Sequence, residues 1–161
     1  MKKENESQLE SIMHKFEQKL AKSKDVHEQR QSEEDAFYVE FRRVRANVIR
    51  PAMEDVGNQL KARGHNFEIS ELDDERRKRD AKITMSITIG GVPSSAYRPE
   101  NTVLVSFAHT GHTSVSIQAS TPSQHRSGFA GPRGNYAASE ITTDLVETKI
   151  LEVLEEVFGP R

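Results

Sequence analysis

The chain has 161 residues, no cysteine, 30% charged residues and a net charge of −2 at neutral pH. This length fits one domain with an appendage. The absence of cysteine excludes disulfides and thiolate metal sites, and the near balance of charge provides no overall attraction to nucleic acids or anionic membranes.

The first predicted unit is a polar helical extension or tail over residues 1–31. Its large apolar residues include four with the 4-3-4 spacing of a heptad seam: Leu9, Met13, Phe16 and Leu20. The same phase resumes at Phe37, but the seam positions in between are polar: Ser23, His27, Arg30 and Glu34. We predict self-association through the four apolar residues. The alternatives are a frayed helix and a helical hairpin within the chain.

The second predicted unit, residues 32–161, begins with a helix. Ser32 and Asp35 resemble a capping box with the shorter acid, and the apolar face runs from Phe37 to Leu60. Gly64 suits a left-handed C-cap. Pro51 predicts a kink, or a break with a second helix starting there.

After Gly64 the apolar period changes to two, which predicts four strands. The alternating apolar residues are Phe67 and Ile69; Ile83, Met85, Ile87 and Ile89; Val103, Val105 and Phe107; and Val115, Ile117 and Ala119. The opposite face is mostly Ser and Thr: Thr84, Ser86, Thr88, Ser106, Ser114, Ser116, Gln118 and Ser120. The pattern predicts an antiparallel sheet that is wet on one side.

The C-terminal segment predicts an amphipathic helix that covers the apolar face of the sheet. Thr142 or Thr143 would cap it, and Gly159 with Pro160 would end it. The predicted fold class is α+β, with a four-stranded antiparallel sheet, helices on one face, and a long N-terminal helical extension.

The stretch from Ser123 to Ser139 separates the last predicted strand from the last helix. It is long for such a connection, and long loops are functional or disordered. Four of its residues predict a partner-binding loop: Arg126, Phe129, Arg133 and Tyr136. A structural cover for the sheet and a disordered connection are the alternatives.

Two arginine clusters raise the possibility of nucleic-acid binding. The first is Arg42, Arg43 and Arg45 in the predicted helix, and the second is Arg76, Arg77 and Arg79 in a charged connection. Acidic residues lie nearby in sequence, and the polar face of the sheet lacks the aromatics that stack on bases. Nucleic acid is therefore not the favoured partner.

Catalytic and metal-binding motifs are missing from the sequence. His109 and His112 flank a predicted hairpin turn, where polar solvent-facing residues are ordinary, and no metal or cofactor is predicted. The favoured function is a non-catalytic interaction or oligomerisation module that is a homo-oligomer and presents a loop or sheet surface to a protein partner. A small enzyme with an unidentified pocket is a further alternative. With no signal-peptide core and no apolar run of about 20 residues, we expect a cytoplasmic protein without membrane contact.

Overall fold

The computed structural model describes residues 1–74, 76, 79–90, 101–109, 113–122 and 130–159. Within these ranges the chain forms three α-helices and five strands. They are α1 (Lys3–Val44), α2 (Arg50–Ala62), β1 (Asn66–Asp74), β2 (Arg79–Thr88), β3 (Thr102–His109), β4 (Val115–Ser120), β5 (Ala130–Tyr136) and α3 (Thr143–Phe158). The predicted α+β class is confirmed.

The N-terminal helix is continuous through the boundary predicted near Ser32. That prediction is wrong because the polar residues around Ser32 are mostly good helix formers, and extending an existing helix costs far less than starting a new one. The helical hairpin within the chain is excluded for the same reason, since α1 does not turn back on itself.

A π-helical turn, Arg45–Ile49, joins α1 to α2, and the backbone N–H of Arg50 donates to the Arg45 carbonyl five residues earlier. It precedes Pro51, which has no N–H and would press against the carbonyl one turn back in a regular helix. The wider turn makes room for the proline. The irregularity expected at Pro51 therefore lies in the turn before it.

Helix α2 ends because Gly64 adopts a left-handed backbone conformation after it. Gly64 has a φ of 91°, a conformation that other residues adopt at a cost. The N–H of His65 donates to Leu60 O at 3.0 Å, and that of Gly64 to Lys61 O at 3.1 Å. This is the double hydrogen bond of a Schellman C-cap, and the predicted left-handed cap is confirmed.

The sheet has five strands in the order β1-β2-β3-β4-β5, all antiparallel neighbours. The prediction of four strands is wrong because β5 lies inside the stretch that was predicted to be a loop. Its sequence, AGPRGNY, has no apolar alternation, and Pro132 cannot donate to a central ladder. At the edge of the sheet both features are tolerated.

The core lies between the apolar face of the sheet and all three helices. The sheet contributes Ile83, Met85, Ile87, Val103, Val105, Phe107, Val115 and Ile117, each fully buried. The helices cover them with residues such as Phe41, Ile49, Met53, Val146 and Ile150. Thr142 caps α3 by accepting from the N–H of Leu145 at 3.1 Å, as predicted.

Candidate interaction surfaces

The N-terminal part of α1 makes no core contact, and every residue from Met1 to Glu33 is exposed. Four apolar side chains there, which we call the N-terminal seam, are Leu9, Met13, Phe16 and Leu20. They are 46–54% exposed. Within the described part of the chain, no other element lies against them. The helix therefore displays an apolar stripe on a rod whose 42 residues extend about 63 Å.

The seam and the core stripe of α1 share a heptad phase but do not face the same way. Four heptads separate Leu9 from Phe37, and a straight α-helix drifts by about 20° per heptad, or about 80° over that distance. At Phe37 and Phe41 the stripe faces the sheet and is buried. Leu9 also lies about 42 Å from Phe37 along the helix, so the chain's own sheet does not reach the seam.

The first arginine cluster divides between solvent and interior. Arg42 and Arg43 are exposed, and Arg43 donates to Glu40 at 2.6 and 3.1 Å. Arg45 is only 4% exposed. The three arginines therefore do not form one basic surface, because Arg45 faces the interior.

Arg45 is held by a two-pronged ion pair. Its Nη1 and Nη2 lie 2.8 and 2.9 Å from the two carboxylate oxygens of Asp73, and Nη1 is also 3.4 Å from the carbonyls of Leu72 and Lys82. The hydrogen bonds from Arg45 lower the pKa of Asp73 below its usual value, and burial opposes them. The pair joins the helical rod to β1 and β2 where the rod meets the domain.

The second arginine cluster is only partly described. Arg76 is exposed in the turn after β1. Arg79 begins β2, and its backbone pairs with that of Asp74, so the strands extend into the connection that was predicted to be a charged loop. Arg77 lies outside the described residues.

The predicted partner-binding loop is a strand where the structure describes it. Arg126 and Phe129 lie outside the described residues, and Arg133 and Tyr136 belong to β5. Arg133 forms a bidentate ion pair with Glu156 of α3, with one arm of 2.8 Å. The Lys149 ammonium lies 5.7 Å from the centre of the Tyr136 ring. Both residues thus connect the edge of the sheet to α3, so the idea of a structural cover fits this half of the stretch.

The outer face of the sheet carries small and polar side chains arranged in cross-strand rows. One row aligns Ser70, Thr84, Ser106, Gln118 and Pro132 across all five strands. Thr84 Oγ1 and Ser106 Oγ share a hydrogen bond of 2.9 Å. The prediction that the whole Ser/Thr set is wet is wrong for Thr88 and Ser116, which are 5% and 7% exposed.

His109 is not solvent-facing, which corrects the prediction for the β3–β4 turn. It is 1% exposed as the last residue of β3, and its ring centre lies 4.9 Å from that of Phe37 and 6.4 Å from that of Phe41. The site is therefore a packed aromatic cluster. His112 lies outside the described residues.

An apolar groove of about 440 Å³ runs between the C-terminal ends of α2 and α3. Its lining consists of Val56, Gln59, Leu60, Arg63, His65, Leu151, Leu154 and Phe158. His65 Nδ1 accepts from the N–H of Gly90 at 3.1 Å. Since the lining includes one histidine and no carboxylate, the described groove offers no acid–base pair.

The described residues offer neither a metal-binding cluster nor a membrane-spanning helix. They contain no group of three or more His, Cys, Asp or Glu side chains placed to hold a metal ion. None of the helices they form is long and apolar enough to cross a membrane. No protein-family model, curated protein or solved structure matches the chain.

Proposed function

We propose that this protein is a non-catalytic oligomerisation and interaction module, whose copies associate through the N-terminal seam. The observation that carries the proposal is the exposure of that seam on a continuous helix, with each of its four side chains about half exposed, at 46–54%. In proteins most of the stability of a helix comes from packing its apolar face rather than from intrinsic propensity. A second copy of the chain provides that burial.

The size of the seam sets the expected strength of the contact. A fully buried side chain of this size contributes about 1.5–3 kcal/mol, and four such side chains must offset the entropy of association and of ordering the interface. The polar seam positions from Ser23 to Glu34 add no apolar layers. We therefore expect a moderate, concentration-dependent interface.

The edges of the sheet support a helical contact rather than strand addition. At one edge, Pro132 of β5 lacks a donor. At the other, β1 carries Glu68, Glu71, Asp73 and Asp74. Proline and charge on edge strands are the devices that prevent strands of two molecules from pairing. Self-association through the sheet edges is disfavoured on both sides.

The outer face of the sheet is our candidate surface for a protein partner. The row from Ser70 to Pro132 on this face is small or polar, and the exposed Leu72 and half-exposed Leu104 lie beside it on the same face, so a partner could find both polar and apolar contacts. Gln118 is an exposed member of this row, and a Gln118→Arg substitution should weaken binding of a partner that is identified by affinity capture from the native host. If the Gln118→Arg protein captured the partner as well as the wild type does, the contact would lie outside this face of the sheet.

A matched pair of substitutions tests the self-association. Phe16→Glu puts a negative charge in the seam. Ser11→Glu puts the same charge at a similar height along the helix, between Leu9 and Met13 in sequence, but on the opposite face. Sedimentation velocity should show that Phe16→Glu is monomeric at concentrations where the wild type and Ser11→Glu associate. Equal association of all three proteins would contradict the proposal.

A further inference from the structure

The N-terminal seam has a symmetry that a second copy of the chain can use. Its spacing of four, three and four residues reads the same in both chain directions, and a leucine stands at each end, at Leu9 and Leu20. Two-fold dimers need a surface that is complementary to itself. A helix laid antiparallel on the seam places a leucine opposite each end leucine and a large apolar side chain opposite each of the two middle residues.

We infer that two copies pair through the N-terminal seam in antiparallel orientation, with the two-fold axis between Met13 and Phe16. This inference rests on the proposed self-association and specifies its geometry. Leu9 then packs against the partner subunit's Leu20, and Met13 against the partner subunit's Phe16. The pairing produces four apolar layers, which is the largest number that any register of the two seams allows.

The polar part of the seam favours the same orientation. In a parallel pair, Glu6, Arg30 and Glu34 would each meet their own copy in the interface, and like charges in a seam are destabilising. In the antiparallel pair, Glu6 lies opposite the partner subunit's Ser23. In this register Arg30 and Glu34 meet no copy of themselves.

The position of the folded domain gives an independent argument. The core stripe of α1 begins at Phe37 and is occupied by the chain's own sheet. A parallel partner helix would continue alongside α1 into this region and bring a second domain beside the first. In the antiparallel pair the two domains lie about 60 Å apart along the axis, at opposite ends of the paired rods.

One flank of the antiparallel pair carries a repulsion that makes the orientation testable. There Glu10 approaches the partner subunit's Glu17, twice by symmetry. In a parallel pair, Glu17 would instead flank the partner subunit's Ile12, which has no charge. On its own helix, the positions three and four residues from Glu17 are Met13, His14, Leu20 and Ala21. A change at Glu17 therefore acts mainly across the interface.

The first test is the charge reversal Glu17→Lys. It replaces both repulsions by attractions, and the dimer dissociation constant should fall roughly 5- to 30-fold at low salt. Glu28→Lys makes the same change of net charge outside the overlap of the two seams and should leave the constant within about twofold. An unchanged constant for Glu17→Lys would overturn the antiparallel pairing.

The second test measures distance, and the absence of cysteine from the chain makes single labels clean. Residues 11 and 25 are two heptads apart and lie on the helix face opposite the seam. A nitroxide label would be attached at each of them in turn, in the variants Ser11→Cys and Asp25→Cys. The axial offset between the two copies is about 10 Å at residue 11 and about 32 Å at residue 25 in the antiparallel pair. Electron–electron distances should therefore be longer at Asp25→Cys by about 10 Å or more.

The possible outcomes distinguish the antiparallel orientation from the proposed self-association on which it rests. Equal distances at both positions would overturn the antiparallel orientation while leaving self-association intact. Wild-type and labelled chains that stay monomeric, with no dipolar coupling at either position, would overturn both.

Discussion

The guanidinium of Arg45 meets the carboxylate of Asp73 in two nearly parallel hydrogen bonds of 2.8 and 2.9 Å. Arg45 lies in the π-helical turn and Asp73 near the end of β1. A residue that seemed a candidate for phosphate contacts is therefore part of the joint between rod and domain. Buried pairs of this kind are costly to break because the remaining charge loses its partner.

Arg45→Ala should lower the free energy of unfolding by about 3 kcal/mol, near the lower end for a broken buried pair, because the Asp73 side chain keeps 26% of its exposure. Arg43→Ala is the matched control, since its pair with Glu40 is exposed, and it should leave the melting temperature unchanged. Urea unfolding of both variants measures the difference. Equal stability of the two would show that the Arg45 pair is not a structural joint.

The same pair predicts how stability depends on pH. Arg45 lowers the pKa of Asp73, so the folded state binds its proton less readily than the unfolded chain does. The stability that the carboxylate contributes is present in full above the ordinary aspartate pKa of about 3.9. It is lost as the pH falls through the folded-state value. The stability gap between wild type and Asp73→Asn should be constant near neutral pH and narrow below about pH 4. A gap that stays constant down to pH 2 would exclude this linkage.

Neighbouring residues on β4 test the one-sided sheet. Ile117 is fully buried and Gln118 is exposed. Ile117→Asp should unfold the domain because an unpaired buried carboxylate costs roughly 3 kcal/mol or more. Gln118→Asp should cost about 1 kcal/mol or less. Similar melting temperatures for the two variants would contradict the assignment of faces.

The exposure of the rod predicts that it can be removed. A chain that starts at Gln31 keeps Phe37, Tyr38 and Phe41 in the core, and its melting temperature at low concentration should match that of the full chain. A chain that starts at Glu40 loses two of these side chains and should melt lower. A large loss of stability in the first chain would show that residues 1–30 pack against the domain.

Alternation predicted the first four strands because each turns one face toward the core, fully buried in β2 to β4 and partly buried in β1, and a core-facing side repeats every second residue. The sequence of the fifth strand has no alternating apolar pattern. AGPRGNY pairs with β4 at a sheet edge, and its position is set by the ladder and by the Arg133–Glu156 pair rather than by its own apolar pattern.

The spacing of the apolar residues predicted the N-terminal seam, but it did not predict which way the seam faces relative to the core stripe of α1. Heptad phase links Leu9 to Phe37 in sequence, whereas the straight helix turns one stripe away from the other. The burial of Arg45 had one signal in the sequence. Phe41 and Ile49 stand four residues to either side, which places Arg45 within the core-facing stripe of a helix. The Asp73 partner depends on how β1 meets that helix, which spacing does not encode.

The proposed function depends on the claim that the N-terminal seam joins copies of this chain, and sedimentation equilibrium on the full chain measures this association. The apparent mass should rise with concentration from the 18.2 kDa of one chain toward twice that value, and Phe16→Glu should hold it at the lower value. A wild-type mass that stays at one chain up to millimolar concentration, or a dimer that survives Phe16→Glu, would contradict the claim.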